Sequence, residues 1–320
     1  MPKESDFRVA DAPMPQAGAD AVLVKTTHWS VDPYMRGRIT GVKSYADPVL
    51  VGDLMVGGTV GQVVESNSAG FAAGDFVTGY WGWQEYAAAP APSLRKLDPR
   101  AAPLSTALGV LGMPGMTAYF GFLDLCAPKA GETVVVSGAA GAVGSAVGQI
   151  AKIKGCRVVG IAGGADKVAH LTGDLGFDAA LDYKATGEYA AALQELCPRG
   201  VDCYFDNVGG AITAAVLGKM NLFGRVSVCG QISQYNLDRP EALPGLLSQI
   251  LVRQLRVEGF IVTRFAPRFA EGLMQMAAWL REGKLKYRES VMDGFENLPR
   301  AFIAMLQGAN TGKMVVRAAD

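Results

Sequence analysis

Apolar residues follow two different rhythms along this chain, and the rhythm changes near residue 133. Before that point, short alternating runs at 21–27, 57–65 and 75–80 are separated by Gly, Pro and Asp turns, as in β-strands that bury one face. This predicts an all-β, barrel-like module over residues 1 to about 100. From 133 onward, short unbroken apolar runs alternate with longer amphipathic ones. Strands are expected at 133–138, 157–161, 179–183, 201–206, 225–230 and 256–262, with helices near 142–155, 166–176, 187–197, 209–221 and 243–254 between them. Six strands joined by helical crossovers make an α/β, doubly wound parallel sheet. Another amphipathic helix is expected at 269–282, β character at 286–291 and a last helix at 298–307. A closing strand at 314–317 is expected to rejoin the first module, which leaves the α/β part inserted into it.

The change of rhythm coincides with a glycine pattern. Val134, Val135 and Val136 form a β-branched run that stops at Ser137 and Gly138, and Val143, Val147 and Ile150 then share one helical face. Gly138, Gly141 and Gly144 have the form G-x-x-G-x-x-G, a near variant of the dinucleotide fingerprint. Such glycines permit a sharp turn, bring bare N–H groups to a pyrophosphate at the positive end of the helix and let helix and sheet pack closely. In a chain with 40 glycines the spacing alone is weak. Its position between a strand and a helix favours a nucleotide site over a Gly-rich packed turn.

The second strand of this unit ends Ile161-Ala162-Gly163-Gly164, where NAD-binding versions carry an acid for the ribose 2′-hydroxyl. Small uncharged residues there leave room for a 2′-phosphate, and Lys167 follows within reach of its charge. Asp166 has two readings, the ribose acid or a cap for the helix it opens. The cap is preferred, and with it NADP over NAD.

Composition narrows the partners. Thirty basic residues balance thirty acidic ones without a basic block, so neither nucleic acid nor an anionic membrane surface is indicated. Residues 101–123 lack charge over a length that could cross a bilayer, but Pro103, Gly109, Gly112, Pro114, Gly115 and Gly121 break the run into a buried helix, loop and helix. The five cysteines are odd in number and scattered, with no C-x-x-C pair and no secretory signal before them, which points to free thiols in the cytoplasm. His28 and His170 are the only histidines and no cysteine precedes Cys126, so neither a catalytic nor a structural zinc site can be assembled. In the β module, the segment from His28 to Gly37 and a loop with Tyr80, Trp81, Trp83 and Tyr86 are either ligand walls or core plugs, and a lone His28 reads most simply as structural.

Seven stretches together carry a family resemblance: SVDPYMRGR (30–38), GGTVGQVVES (57–66), LGMPGMTAYFG (111–121), GAAGAVGSAVGQIAKIKGCRVVG (138–160), FDNVGG (205–210), CGQISQYN (229–236) and GANTGKMVV (308–316). Over nearly its full length the chain resembles the zinc-free medium-chain reductases of the NADPH-dependent alkenal/one oxidoreductase group. Zinc-dependent relatives have Gly-His-Glu where this chain has Val56-Gly57-Gly58. The resemblance implies a Rossmann doubly wound parallel sheet inserted into a GroES-like β-barrel catalytic domain, with boundaries at 1–112, 113–288 and 289–320. It implies that Gly141, Ala142, Val143 and Gly144 hold the pyrophosphate of NADP(H), and that Lys167 and Tyr183 hold the 2′-phosphate and adenosine. Asp182-Tyr183-Lys184 replaces the more usual Asn-Tyr-Lys there. Asn207, Cys229, Gly230, Ile232, Ser233 and Tyr235 would run along the cofactor, Phe260 and Val262 beside its nicotinamide, and Thr117 and Asn310 near it.

On the substrate side the resemblance places Tyr34, Arg36, Tyr80, Trp81 and Met113, although Arg36 could instead pair with an acid to structure its loop. The implied reaction delivers a hydride to the β-carbon of an enone or enal and a proton to the α-carbon, in a homodimer joined along 256–262. Tyr235 is the first choice for the donor, and a tyrosine that only orients the cofactor is the alternative. A quinone reductase and a non-catalytic NADPH sensor share the cofactor features and stay open.

Overall fold

The structure, a computed structural model, describes residues 1–239, 241–243 and 245–319. In chain order the first elements are β1 (Ala21–Ser30), α1 (Tyr34–Arg38), β2 (Thr59–Ser66), β3 (Phe76–Gly79), β4 (Tyr86–Pro90) and β5 (Arg95–Leu97). There follow α2 (Met113–Leu123), β6 (Thr133–Ser137), α3 (Ala142–Ile153), β7 (Arg157–Ala162), α4 (Ala165–Ala169), β8 (Ala179–Asp182), α5 (Tyr189–Leu196) and β9 (Val201–Asp206). The last are α6 (Gly210–Leu217), β10 (Met220–Val228), α7 (Leu246–Arg253), β11 (Arg256–Gly259), α8 (Phe269–Arg281), β12 (Glu289–Asp293), α9 (Leu298–Leu306) and β13 (Lys313–Arg317). The chain divides into one unit of Met1–Gly109 with Glu289–Asp320 and a second of Val110–Arg288, just ahead of the boundary expected after 112.

The second unit holds six parallel strands in the order β11-β10-β9-β6-β7-β8. Strand alternation explains why both faces are covered. Val134 and Val136 of β6, with Cys203 and Phe205 of β9, join a cluster containing Phe120, Val147, Ile150 and Met276 from the helices α2, α3 and α8. Val135, Val159 and Tyr204 point the other way, to Leu193 of α5 and to Ile212 and Val216 of α6. The chain leaves β6 for β7 on one side and returns as β9 on the other, so the carboxyl ends of β6 and β9 flank the switch point where doubly wound sheets bind ligands.

Four expected elements differ here in detail. The 209–221 helix stops at Leu217, and β10 starts at Met220 with an irregularity before Arg225 that leaves Leu222 and Phe223 exposed. The 256–262 strand stops at Gly259, after which Phe260 turns into the core and Val262–Arg268 forms a 3-10 helix. The 166–176 helix is α4 followed by a wider turn, in which the Leu175 N–H reaches the His170 carbonyl at 3.2 Å. Of the helix pair expected over 101–123, the first member is a 3-10 turn, Leu104–Leu108.

In the first unit β1 is the hub. It pairs with β2 along most of its length, with β4 through residues 21–25, and with β13 through His28, Trp29 and Ser30. The closing strand therefore returns to the first module as expected. β4 and β5 were not expected, because YAAAP alternates only small residues; Tyr86 lies in β4 and not in a loop. Val22, Val24, Val63, Val77 and Trp81 fill the barrel side. α9 sets Leu298, Ala301, Phe302 and Met305 against Trp29, Met35 and Trp83. Among the described residues no helix is long and apolar enough to cross a membrane.

A buried charge joins the returning strand to the first module. Lys313 and Asp32 are 4 % and 6 % exposed at the side chain, with Nζ 3.2 Å from Oδ1. The ammonium also donates to the Val31 and Met314 carbonyls, each at 2.7 Å, and the Ser30 hydroxyl donates to Asp32. Glu289, the register partner of Lys313, is driven upward in pKa by burial, against the Ser105 hydroxyl and the Lys313 charge. Lys313→Met keeps the volume but leaves the Asp32 carboxylate buried with no counter-charge, so it should cost about 3–5 kcal/mol of unfolding free energy. Chemical denaturation measures this, and Asp32→Asn in the same chain should restore much of the loss.

Candidate active site

At the end of β6 the chain turns through Gly138, whose φ of +60° is one that glycine adopts without strain. The Gly141 N–H bonds the Gly138 carbonyl at 3.0 Å, and Gly141 then becomes the N-cap of α3 without a side chain to cap it. A Cβ on Gly144 would stand 2.3 Å from the Gly138 oxygen, so only glycine allows the helix to start this close to the turn. Ala142 and Val143 are half-buried at this bare helix start, where the amides and the positive end of the dipole suit an anion. Asn207, from the end of β9, closes the side: its amide donates to the Ser137 carbonyl at 2.7 Å and its own N–H to the Ser137 hydroxyl at 3.0 Å.

The next crossover supplies cations. Lys167 lies in α4, and its pKa is lowered by burial first and by the neighbouring Lys184 charge second. Two ammonium groups that repel one another are relieved by an anion placed near both. Sequence reasoning did not assign Lys184; its position directly after Tyr183 was the available signal. Tyr183 lies against Gly163, where a Cβ would be 2.7 Å from its ring. Asp182 accepts the Gly164 and Lys184 N–H groups at 2.9 Å each, so the Asp that replaces Asn at this position braces the loop with its carboxylate. Asp166 is not the cap: Gly164, at φ +101°, is the N-cap of α4, and Asp166 sits exposed in the first helical turn. The bare helix start together with these cations fits a dinucleotide carrying an extra phosphate.

The segment after β10 completes the carboxyl edge of the sheet. Cys229, Gly230, Ile232, Ser233 and Tyr235 follow one another here, with Tyr235 half-buried and its phenol raised in pKa chiefly by burial. The Gln231 N–H donates to the Tyr235 oxygen at 3.2 Å, and a Cβ on Gly230 would come within 3.1 Å of that oxygen. Burial first and the Asp206 charge second push the Cys229 thiol up to about 12, which keeps it protonated. Phe260 is a core residue whose ring rests on Gly121 near Phe205 and Phe265, so only its main chain is left for a ligand; Val262 is half-buried. The Thr117 hydroxyl donates to the Met113 carbonyl at 2.8 Å within α2.

Within the first unit, Tyr34 opens α1 and its phenol is raised in pKa by burial and then by Asp32 and Tyr80. Tyr80 is 69 % exposed, while the protein around it and the Asp32 charge push its phenol up to about 12. Arg36 is half-buried in α1. Trp81, expected on the substrate side, belongs to the barrel core, with its indole N–H on the Thr26 hydroxyl at 2.8 Å. Asn310 is half-buried in the turn before β13, with its amide on the Gly312 carbonyl at 2.8 Å. His28, beside Arg317 in the strand register, is lowered to about 4 by burial first and that charge second, and its ring nitrogen lies 3.0 Å from the Thr27 hydroxyl. Catalytic zinc does not fit here, since the space beside Gly57 is closed by Met35 and Trp83, at 3.0 and 3.1 Å from a Cβ built there.

Residues 1–97 match a family described as the N-terminal domain of oxidoreductase, and residues 142–279 one described as zinc-binding dehydrogenase. The NADPH-dependent curcumin reductase of Escherichia coli is 46 % identical, covering 99 % of this chain and 93 % of its own. Prostaglandin reductase 1 of Rattus norvegicus is also 46 % identical, over 99 % of this chain and 95 % of its own. The crystal structure of CurA in complex with NADPH from Vibrio vulnificus superposes with a TM-score of 0.95 at 44 % identity, covering 100 % of this chain and 96 % of that one. The chain belongs to the alkenal/one oxidoreductase group of the medium-chain reductases. Its membership of the medium-chain reductases accounts for the zinc in one family description, because that family also includes zinc enzymes; among the described residues no group of His, Cys, Asp and Glu could hold the ion, and Met35 and Trp83 crowd the position beside Gly57.

The cation pair gives this medium-chain reductase a direct test. Lys167→Ala should weaken NADPH binding by ~1.5–3 kcal/mol and leave NADH binding nearly unchanged, because only NADPH has the 2′-phosphate to lose. Fluorescence titration with each nucleotide decides it, and Lys184→Ala should move in the same direction.

Proposed function

We propose that the chain catalyses the NADPH-dependent reduction of the carbon–carbon double bond of α,β-unsaturated ketones and aldehydes. The observation that carries this reading is the environment of the Tyr235 hydroxyl. Its oxygen already accepts the Gln231 N–H, so its own proton is directed elsewhere, and a phenol carries that proton at neutral pH, with burial raising its pKa further. NADPH, when bound, supplies a hydride for the β-carbon. Negative charge then develops at the carbonyl oxygen, where Tyr235 serves as the hydrogen-bond donor, and the α-carbon takes a proton from Tyr235 or from water.

The amides from Gly141 to Gly144 hold the pyrophosphate, Lys167 and Lys184 the 2′-phosphate, Asn207 lies along the cofactor, and the main chain at Phe260 with Val262 lies beside the nicotinamide. Residues 113–288 then form the cofactor domain, and 1–112 with 289–320 the substrate domain, where Tyr34, Arg36 and Tyr80 are on the substrate side. Conjugation places an electrophilic centre at the β-carbon, where hydride can add with a hydrogen-bond donor at the carbonyl oxygen.

An alkyl enone should therefore yield the saturated ketone, and saturated ketones themselves should react poorly. Tyr235→Phe should lower kcat roughly 10–1000-fold with little change in NADPH affinity. Mass spectrometry and NMR of the product check the first point, and an allylic alcohol would refute it. Faster NADPH consumption with quinones than with enals would favour a quinone reductase, and tight binding without turnover a sensor.

The five free cysteines, four of them buried, suit a reducing cytoplasmic setting. The working state is a homodimer joined along β11. That strand is an edge of its sheet, and Leu247, Leu251 and Val252 of the preceding helix are all exposed. A second copy would pair the open edge and cover the apolar side chains. Light scattering on the purified protein should give twice the chain mass, falling to one chain in Leu251→Glu/Val257→Lys.

A further inference from the structure

The carboxyl end of β9 carries an acid that the reaction itself does not use. Asp206 is 2 % exposed, and its side chain accepts hydrogen bonds from five donors. Oδ1 takes the Ser137 hydroxyl at 3.0 Å, the Tyr204 hydroxyl at 2.8 Å, the Val208 N–H at 2.9 Å and the Gly209 N–H at 3.0 Å. Oδ2 takes the Thr213 hydroxyl at 2.5 Å. These donors come from β6, from β9 itself, from the turn after it and from α6. A group that only accepts can satisfy all of them at once, as a carboxylate does.

The main chain of the same turn supports the neighbouring segment. The Asp206 carbonyl accepts the Cys229 and Gly230 N–H groups at 2.8 and 3.1 Å, and the Asn207 carbonyl the Ile232 N–H at 3.3 Å. The Val208 carbonyl accepts the Ser233 N–H at 3.1 Å and the Ser233 hydroxyl at 2.7 Å. Residues 229–233 are thus laid along 206–208, and Gln231 within them holds the Tyr235 hydroxyl. Without the carboxylate, the half-buried Val208 N–H, the buried Gly209 N–H and the Ser137, Tyr204 and Thr213 hydroxyls lose this acceptor, with the 3.2 Å contact between the Tyr204 and Thr213 hydroxyls left among them, and opening the turn is the direct way to rehydrate them. The 229–233 segment would move with it.

We propose that Asp206 is the positioning residue of this site: its carboxylate fixes the 206–209 turn, and that turn is the template that holds the 229–235 segment against the cofactor. The cofactor part rests on the reading of the chain as an NADPH enzyme; the template part stands on the hydrogen bonds alone. Asp206 acts through other residues and touches neither substrate nor hydride.

The test compares the full chain with Asp206→Ala and Asp206→Asn by hydrogen exchange with mass spectrometry and by fluorescence titration with NADPH. In the Ala variant, exchange should accelerate about tenfold or more at 207–210 and 229–235 and stay unchanged elsewhere in Val110–Arg288, with NADPH affinity lower by about tenfold. The Asn variant keeps the shape and one acceptor oxygen, so it should recover part of both losses; it carries the test if the Ala variant does not fold. Unchanged exchange at 229–235, or acceleration spread evenly over the unit, would overturn the proposal. Failure of the unsubstituted protein to bind NADPH would refute the cofactor reading separately, leaving the exchange result to decide the template.

Discussion

The approach of Gly144 to the Gly138 carbonyl is the contact on which the nucleotide end of the second unit depends. Any side chain at 144 would push α3 away from the turn, and with it the bare amides that begin the helix. Burial of Val134, Val135 and Val136 on both faces of the sheet fixes the strand, and the stripe of Val147 and Ile150 fixes the helix. The glycines then decide how closely one follows the other. Packing energy of the core is thereby converted into placement of a partial positive charge, which is what an anionic cofactor requires.

A different constraint governs the first unit. There, a single ammonium stands between two carboxylates, Asp32 on the segment leading to α1 and Glu289 on β12, while β13 carries it into the sheet beside β1. Burying those charges is expensive, and hydrogen bonds from Lys313 to two main-chain carbonyls offset part of the cost. The benefit is register: a strand arriving from the far end of the chain can seat this lysine at only one position. The same carboxylate acts on the Tyr34 and Tyr80 phenols, so the device that closes the module also raises the pKa of these two of its tyrosines.

Much of this was legible in the sequence where local pattern and tertiary context agree. The strand, glycine turn and helix over 133–155 follow from β-branched residues, a helical stripe and the spacing of three glycines. Lys167 could be placed because it follows a strand whose end lacks an acid. β4 was invisible because its inward residues are alanines, which carry little periodic signal, and Trp81 could not be assigned to wall or core from a loop composition. The cap of α4 went to Gly164 over Asp166 because the chain there takes a positive φ, which no side-chain preference announces. Lys313 was missed as a framework group because its partner, Asp32, lies at the other end of the sequence. Lys184 and Asp206 have mostly nearby partners, but nothing in the residue pattern marks a carboxylate that gathers five donors or a lysine whose charge meets a second one.

The electrostatics of the 229–235 segment argue for a division of labour between Tyr235 and Cys229. An enone or enal is an electrophile at its β-carbon, and a thiolate near it would add there in competition with hydride. Burial and the Asp206 charge hold the Cys229 thiol protonated, so it is a poor nucleophile even though it lies in the segment that carries Tyr235. The same burial raises the pKa of the Tyr235 phenol, the group proposed as donor to the developing oxyanion. On the proposed reaction, one low-dielectric environment disfavours the thiolate at Cys229 and the phenolate at Tyr235 alike, and the negative charge of Asp206 pushes both groups in that direction.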